Sequence, residues 1–152
     1  MASNQLDPDQ TARRRKVIGT GLVAVLAAAL IAIVVVRSGG EKLLNENGDT
    51  LVLVGKEPGP GTKTPTRGEL VDLGGCLGFA GSGGPAVVIW PHGTTVATPD
   101  PLRVKVDGTT YKLGTAVKLP GDYADPLDRE SYFYDRVSED CRTADVFIVR
   151  AG

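Results

Sequence analysis

The sequence predicts an all-β domain outside the cytoplasm, held by one N-terminal transmembrane α-helix. Two observations carry this prediction. Residues 17–36 contain no charged side chain, and six or seven short strand-like segments separated by turn residues follow residue 67. The length of 152 residues allows one modest domain with accessory segments. A formal charge of −1 excludes a strongly basic chain, so no nucleic-acid partner is expected.

The uncharged segment Val17–Val36 is long enough to cross a bilayer, because its residues would form a helix of about 30 Å. The basic residues Arg13–Lys16 precede it, whereas the residues that follow closely include only Arg37 and Lys42 as basic side chains. The positive-inside rule therefore predicts a cytoplasmic tail of residues 1–16 and a single-pass protein of the cell membrane, with its C-terminal part outside. The lipid bilayer is thus the first expected partner.

A cleaved secretory signal is the alternative interpretation of this segment. Signals have an apolar region of about 7–15 residues that ends at a small-x-small cleavage site. Here the apolar run is longer, and it ends at Ile33–Arg37 without a small residue. An uncleaved anchor is therefore favoured.

One face of the predicted helix carries small residues at a spacing of four. Such residues let a second helix approach closely, and packing can then drive association within the bilayer. The predicted helix-packing residues are Thr20, Ala24, Ala28 and Ala32. Alanine is also common in helices that only anchor a protein, and that alternative stays open.

Residues 37–66 are predicted to form an extracytoplasmic stalk and linker in front of a domain that spans residues 67–152. Residues 41–50 are polar, and residues 57–66 contain three prolines and two glycines. Such a composition is typical of a stiff, exposed linker. Within the stalk, only Leu51–Val54 could pair as a short β segment.

The strand-like segments after residue 67 predict a small antiparallel barrel or sandwich, OB-like or SH3-like. Asp107-Gly108, between two alternating segments, is typical of a tight hairpin turn because glycine accepts a positive φ. The predicted strands are Glu69–Phe79 (interrupted by Gly74-Gly75), Val87–Trp90, Leu102–Val106, Thr110–Leu113, Ala116–Leu119 and Asp145–Arg150.

Cys76 and Cys141 are the only cysteines, and both lie on the predicted exported side. An even pair in an oxidising compartment favours a disulfide, which would close a loop of about 66 residues and stabilise the fold by about 4 kcal/mol. A metal site would need more ligands than these two cysteines and one histidine provide. Redox catalysis is the other alternative, but the chain has no Cys-x-x-Cys motif.

No residue pattern predicts catalysis, and no cofactor is expected. The single histidine, His92, lies in the segment Trp90–Thr94 between two predicted strands. A catalytic role would need a nucleophile or carboxylate brought beside it by the fold. No serine lies in a Gly-x-Ser-x-Gly motif, so His92 is expected in a surface turn.

Residues 121–140 combine many acidic side chains with most of the tyrosines. Hard cations such as Ca²⁺ bind several carboxylate oxygens, and Asp122, Asp125 and Asp128 are candidate metal ligands. Their spacing differs from the alternate-residue pattern of an EF-hand, so a solvated acidic loop is the alternative.

The aromatic residues of the same stretch predict a surface that contacts a partner protein. Exposed tyrosines provide large, rigid contact areas and are enriched in protein interfaces. The candidate partner-binding residues are Tyr123, Tyr132, Phe133 and Tyr134. Three successive aromatic residues cannot all face one core, so at least one is expected to be exposed or to cover the end of a barrel.

Three short motifs resemble those of a known group of proteins. They are Gly75–Phe79 (GCLGF), Val88–Thr94 (VIWPHGT) and Tyr111–Val117 (YKLGTAV). Over residues 68–121 the chain resembles small exported β-domains of actinobacterial-type bacteria, which are often lipoproteins or single-pass membrane proteins. The resemblance implies an envelope location and a small β-barrel, and it brings no catalytic residue. No lipobox cysteine is present, which departs from the lipoprotein members.

Three hypotheses about function follow from these features. The first is a membrane-anchored interaction module without catalytic activity, an accessory subunit or binding protein with a membrane or envelope protein as its partner. The second is an extracytoplasmic sensor that binds a ligand or Ca²⁺ at the acidic loop. The third is a hydrolase that uses His92.

Overall fold

The computed structural model describes residues 40–56, 64–97 and 100–150. Among them, no helix is long and apolar enough to cross a membrane. The predicted transmembrane segment 17–36 lies outside the described residues, and so do its predicted helix-packing residues. These are Thr20, Ala24, Ala28 and Ala32.

Almost all regular structure in the described part of the chain is β-sheet, which confirms the prediction of an all-β domain. A 3-10 helix at Tyr134–Arg136 and a short helix α1 at Glu139–Thr143 are the exceptions. The strands are β1 (Lys42–Leu44), β2 (Val52–Val54), β3 (Pro65–Leu73), β4 (Cys76–Gly81), β5 (Gly84–Trp90), β6 (Thr95–Ala97), β7 (Arg103–Val106), β8 (Thr109–Lys112), β9 (Ala116–Ala124) and β10 (Asp145–Val149).

Seven strands form one sheet in the order β1-β2-β5-β10-β9-β3-β4. Because β4 also pairs with β5, the five strands β5, β10, β9, β3 and β4 form a closed ring. Strand β10 runs parallel to β5, and every other pairing around the ring is antiparallel. The remaining strands β6, β7 and β8 form a separate antiparallel sheet.

Alternation of side chains along the strands divides the buried apolar residues into two clusters. In β5, Ala86, Val88 and Trp90 belong to one cluster, whereas Val87 belongs to the other. The interior cluster draws on all five ring strands and comprises Val52, Val54, Leu70, Leu77, Phe79, Ala86, Val88, Trp90, Leu102, Val104, Val106, Leu119, Phe147 and Val149. The outer cluster comprises Leu53, Cys76, Val87, Leu127, Phe133, Val137, Cys141 and Val146.

The folded domain begins earlier than the sequence predicts. Strands β1 and β2 both lie within residues 37–66, which are predicted to be stalk, yet β2 pairs in parallel with β5 through Leu53 and Ile89. Val52, Leu53 and Val54 are fully buried. Strand β2 belongs to the core because one of its faces is buried in the interior cluster and the other in the outer cluster. A segment of three residues is too short for its sequence to indicate that both faces are buried. Of the predicted linker, residues 57–63 lie outside the described residues.

The predicted hairpin at Asp107-Gly108 is confirmed. Strands β7 and β8 pair antiparallel around it, and both turn residues have a positive φ, 46° and 81°. These values place Asp107 and Gly108 in the left-handed region that a type I′ turn requires. The predicted strand Glu69–Phe79 is instead two antiparallel strands, β3 and β4, because Gly74 and Gly75 take positive φ and reverse the chain.

Candidate functional site

A disulfide connects the ring to the segment before its last strand. Cys76 begins β4 and Cys141 lies in α1, and their Cα atoms are 6.0 Å apart in a bridge that spans 65 residues. Both cysteines are fully buried in the outer cluster. The predicted pairing is confirmed, and it fixes α1 against the start of β4.

Ser138 strengthens the same junction. Its hydroxyl oxygen accepts a hydrogen bond from the main-chain N–H of Cys141 at 3.3 Å, which makes it the N-cap of α1. The hydroxyl also donates to the carbonyl oxygen of Gly74, between β3 and β4, at 2.7 Å. The disulfide and this side chain therefore hold the C-terminal end of residues 125–144 at the β3–β4 turn.

Residues 127–137, here called the aromatic cover, close the outer cluster. Its residues Leu127, Phe133 and Val137 are buried in the outer cluster, and Phe133 is only 1% exposed. Tyr132 and Tyr134 pack against the same cluster but stay partly exposed. The cover therefore consists of a buried aromatic anchor between two tyrosines that reach the surface.

Two arginines orient the surface tyrosines. The Arg136 guanidinium lies 4.1 Å from the centre of the Tyr132 ring, and its Nη1 donates to the carbonyl oxygen of Tyr132 at 2.6 Å. The Arg142 guanidinium lies 5.4 Å from the Tyr134 ring. The Tyr132 ring also meets Phe133 edge to face, with 5.5 Å between the centroids. Both tyrosines thus present partly exposed rings with defined neighbours.

The four aromatic residues predicted to bind a partner do not share one surface. Phe133 is buried, which corrects its assignment as a contact residue. Its side chain packs inside the outer cluster and therefore does not reach the surface. Tyr123 packs against the interior cluster instead: its ring meets Phe147 at 5.0 Å, and its hydroxyl donates to the carbonyl oxygen of Gly84 at 3.1 Å. Tyr132 and Tyr134 remain the candidates for partner contact.

The structure does not bring the three predicted metal ligands together. Within the described part of the chain, no three His, Cys, Asp or Glu side chains are placed to hold a metal ion. Asp122 lies on β9 and pairs with Arg150, with 3.2 Å between Oδ2 and Nε. Asp128 accepts the main-chain N–H of Glu130 at 3.0 Å, while Asp125 is exposed. The prediction is corrected because β9 ends at Ala124 and leaves Asp122 on a different element from the other two.

His92 is exposed in the turn that follows β5. The turn is closed by Thr94, which is fully buried and whose hydroxyl donates to the carbonyl oxygen of Pro91 at 2.7 Å. The buried polar residue of this turn is thus Thr94, which stabilises the turn. His92 is exposed in a surface turn, as expected from the sequence.

A polar cavity lies where three distant segments meet, and sequence reasoning missed it. Its volume is about 320 Å³, and its lining residues are Asn45, Gly48, Asp49, Thr50, Asp100, Leu102 and Leu113. The β1–β2 loop that forms one wall is held by two side chains. Asn45 donates to the carbonyl oxygen of Thr50 at 2.9 Å, and the buried Thr50 hydroxyl donates to Asp72. Because the wall residues are up to 68 positions apart, no local motif signals the cavity.

The chain matches no protein-family model, and no curated protein or solved structure matches it. The features that stand out are the disulfide, the aromatic cover with its two partly exposed tyrosines, and the polar cavity.

Proposed function

We propose that this chain is a single-pass membrane protein whose β-domain lies outside the cytoplasm and works as an interaction module without catalytic activity. It would serve as an accessory subunit or as an envelope-associated binding protein. The uncharged segment 17–36 and the basic residues before it support the anchoring and its direction. The resemblance to exported β-domains of actinobacterial-type bacteria supports the envelope location.

The disulfide is the observation that carries the proposed location. Disulfides persist in oxidising compartments and are rare where thiols are kept reduced. Here both cysteines of the chain are used in one buried bridge, Cys76–Cys141. A bridge that spans 65 residues constrains the unfolded chain strongly, so the domain gains stability from the compartment proposed for it.

For the fold we propose an OB-like barrel, one of the two barrel types expected from the sequence. Counted along the ring only, the strands β3, β4, β5, β9 and β10 take the order 1-2-3-5-4-1, with the third and fifth parallel. In OB-like barrels the second and third strands and the neighbouring loops form the binding face. In this chain the aromatic cover and α1 pack on the outer cluster, which includes Cys76 of β4 and Val87 of β5, and this favours recognition through the aromatic cover itself.

The aromatic cover is the surface that we propose contacts the partner protein. Tyrosine side chains that are held in place lose little entropy on binding and bury a large area. Tyr132 and Tyr134 meet this condition because Arg136 and Arg142 lie against their rings. Phe133 anchors the segment between them without itself reaching the surface.

The test is a mild-detergent pull-down of the tagged full-length protein from its native membrane, with the size and composition of the complex read together. A stoichiometric partner that is lost with Tyr132→Ser/Tyr134→Ser supports the proposal. The matched control is Ser82→Ala/Thr109→Ala, at exposed positions between β4 and β5 and on β8. A lone protein in the membrane, or equal loss of the partner in both double variants, would count against the cover as an interface.

A second candidate function is the binding of a small ligand, and the polar cavity favours it. A volume of about 320 Å³ is at the lower end of ordinary ligand sites, and the walls combine carboxylates with the side chains of Leu102 and Leu113. A screen of small molecules by thermal shift of the full-length protein tests this function. Binding that disappears with Leu113→Glu would place the ligand in the cavity, whereas unchanged binding would exclude it.

A further inference from the structure

The small sheet of β6, β7 and β8 has one apolar face and one basic face. Its apolar face buries Val104 and Val106 in the interior cluster. The opposite face consists of six exposed residues, and the strand register arranges them in two rows of three. The rows are Thr95, Lys105 and Thr110, and Ala97, Arg103 and Lys112. This set of six residues is called the basic face below.

The positive charge of the basic face contrasts with the rest of the domain. Residues 38–152 contain 12 Lys or Arg and 16 Asp or Glu, which gives them a formal charge of −4. Three of the six residues in the basic face are basic and none is acidic. None of the three forms an ion pair with another residue in the described ranges. The basic face is therefore a positively charged surface on a domain whose formal charge is negative.

The register places two of these cations directly opposite each other. Arg103 pairs with Lys112 across β7 and β8, where Cβ atoms are about 4.5–5.5 Å apart. Like charges at such a position destabilise a sheet. Lysine on an edge strand can prevent pairing with another sheet, but Arg103 and Lys105 lie on the central strand, where this need does not arise. Arg67 and Lys118 are also directly opposite each other, across β3 and β9, but Glu69 lies two residues from Arg67 on the same face of β3. A like-charge pair whose own face carries no acidic side chain indicates a partner outside the protein.

We propose that the basic face docks on an anionic bilayer surface, with lipid phosphates as the partners of its three cations. The proposal rests on the membrane anchoring proposed above. The guanidinium of Arg103 can bind a phosphate through two N–H groups, while Lys105 and Lys112 act as point charges. The hydroxyls of Thr95 and Thr110, on either side of Lys105, add donors for phosphate oxygens. Each cation that reaches an anionic surface strengthens the attraction about fivefold.

Lysine acetylation of the full-length protein in nanodiscs tests this proposal. One disc contains phosphatidylcholine alone, and the other also contains phosphatidylglycerol. We expect Lys105 and Lys112 to react about fivefold more slowly in the anionic disc, because amines that contact lipid phosphates are less accessible to the acetylating reagent. Lys56 and Lys118, which are exposed on other parts of the domain, serve as internal references that keep their rates.

Two variants that each remove one positive charge distinguish docking through the basic face from a general attraction between the protein and the anionic lipids. Arg103→Gln should restore fast acetylation of Lys105 and Lys112 in the anionic disc, whereas Arg67→Gln, at an exposed position on β3, should not. Because Arg67 lies directly opposite Lys118, Lys56 alone is the rate reference for that variant. Equal slowing at all four lysines, or equal effects of the two variants, would overturn the proposal. Protection by free glycerol phosphate in the phosphatidylcholine disc would also overturn it, because the face would then bind soluble phosphates.

Failure of the membrane anchor is distinguished in the same experiment. If the protein elutes apart from both discs, the proposed anchoring is wrong, and the acetylation is repeated on the lipid-free protein with added vesicles. Slower reaction of Lys105 and Lys112 with phosphatidylglycerol vesicles than with phosphatidylcholine vesicles would retain the docking face. Equal rates would reject it.

Discussion

The guanidinium of Arg136 lies over the ring of Tyr132 and donates to the main-chain oxygen of the same residue. The Arg136 side chain thus contacts both the backbone and the ring of a partly exposed tyrosine four residues earlier in the chain. Arg142, in the helix α1 that the disulfide holds in place, lies against Tyr134 through the ring contact alone. The aromatic cover is therefore ordered by contacts from Arg136 within it and from Arg142 in α1.

Arg136→Ala should weaken partner binding without much loss of stability. Arg136 is exposed, so its removal leaves the outer cluster filled, but the Tyr132 ring loses its stacking partner. A cation–π contact at an exposed site contributes about 0.5–1 kcal/mol. Partner recovery in the pull-down should fall, while the melting temperature stays close to that of the original chain. A retained complex with Arg136→Ala would show that the orientation of Tyr132 is unimportant.

Phe133→Ala should destabilise the domain by about 3–5 kcal/mol, because it removes the aromatic side chain that fills the outer cluster. Denaturant unfolding, followed by the fluorescence of the single and fully buried Trp90, measures this change. The control is Asp135→Ala, an exposed residue of the 3-10 helix that follows Phe133, which should change stability by less than about 0.5 kcal/mol. Similar values for the two variants would mean that Phe133 is not a core residue.

Removing the disulfide through Cys76→Ala/Cys141→Ala should cost about 4 kcal/mol, since the unfolded chain then regains the freedom of a 65-residue loop. The measurement is the melting temperature with and without reductant. Reductant should lower the melting temperature of the original chain and leave that of the double variant unchanged. An effect of reductant on the double variant would show that it acts through something other than this bridge.

Gly121→Ala should be more damaging than Gly78→Ala, although both glycines lie in the ring. A Cβ at Gly121 would collide with the main-chain oxygen of Ile148, on the paired strand β10. At Gly78 the closest atoms are Cδ1 and Cγ of the Leu73 side chain, which can move, and the main-chain oxygen of Ala86 is farther away, at 3.1 Å. We therefore expect a loss of several kcal/mol for the first variant and a clearly smaller loss for the second. Equal melting temperatures would contradict the close approach of β9 and β10.

Lys112→Gln should stabilise the domain by about 0.2–1 kcal/mol, because it removes the repulsion between Lys112 and Arg103. Added salt should reduce the difference between the variant and the original chain, since salt screens exposed charges. A double-mutant cycle with Arg103→Gln isolates the pair. A coupling free energy near zero would show that the two side chains avoid each other in solution.

Much of the local structure can be predicted from short runs of consecutive residues. The alternation in Leu102–Val106, the turn residues Asp107-Gly108 and the uninterrupted apolar run Val87–Trp90 each predict a strand or turn that the structure contains. The reason is that side-chain alternation and positive φ are properties of a few consecutive residues. The number and location of the cysteines likewise sufficed to predict the bridge, because two cysteines allow only one pairing within a chain.

The tertiary structure alone decided which surfaces these elements share. The sequence predicts a possible short β segment at Leu51–Val54 within the stalk, but only the pairing with β5, more than thirty residues later in the chain, makes Val52–Val54 a core strand. The sequence predicts Phe133 as a contact residue, whereas in the structure its side chain is buried in the outer cluster of the sheet. The polar cavity and the basic face also arise from residues that only the strand register brings together. Composition and periodicity describe one segment at a time, whereas burial and charge complementarity depend on which segments pair.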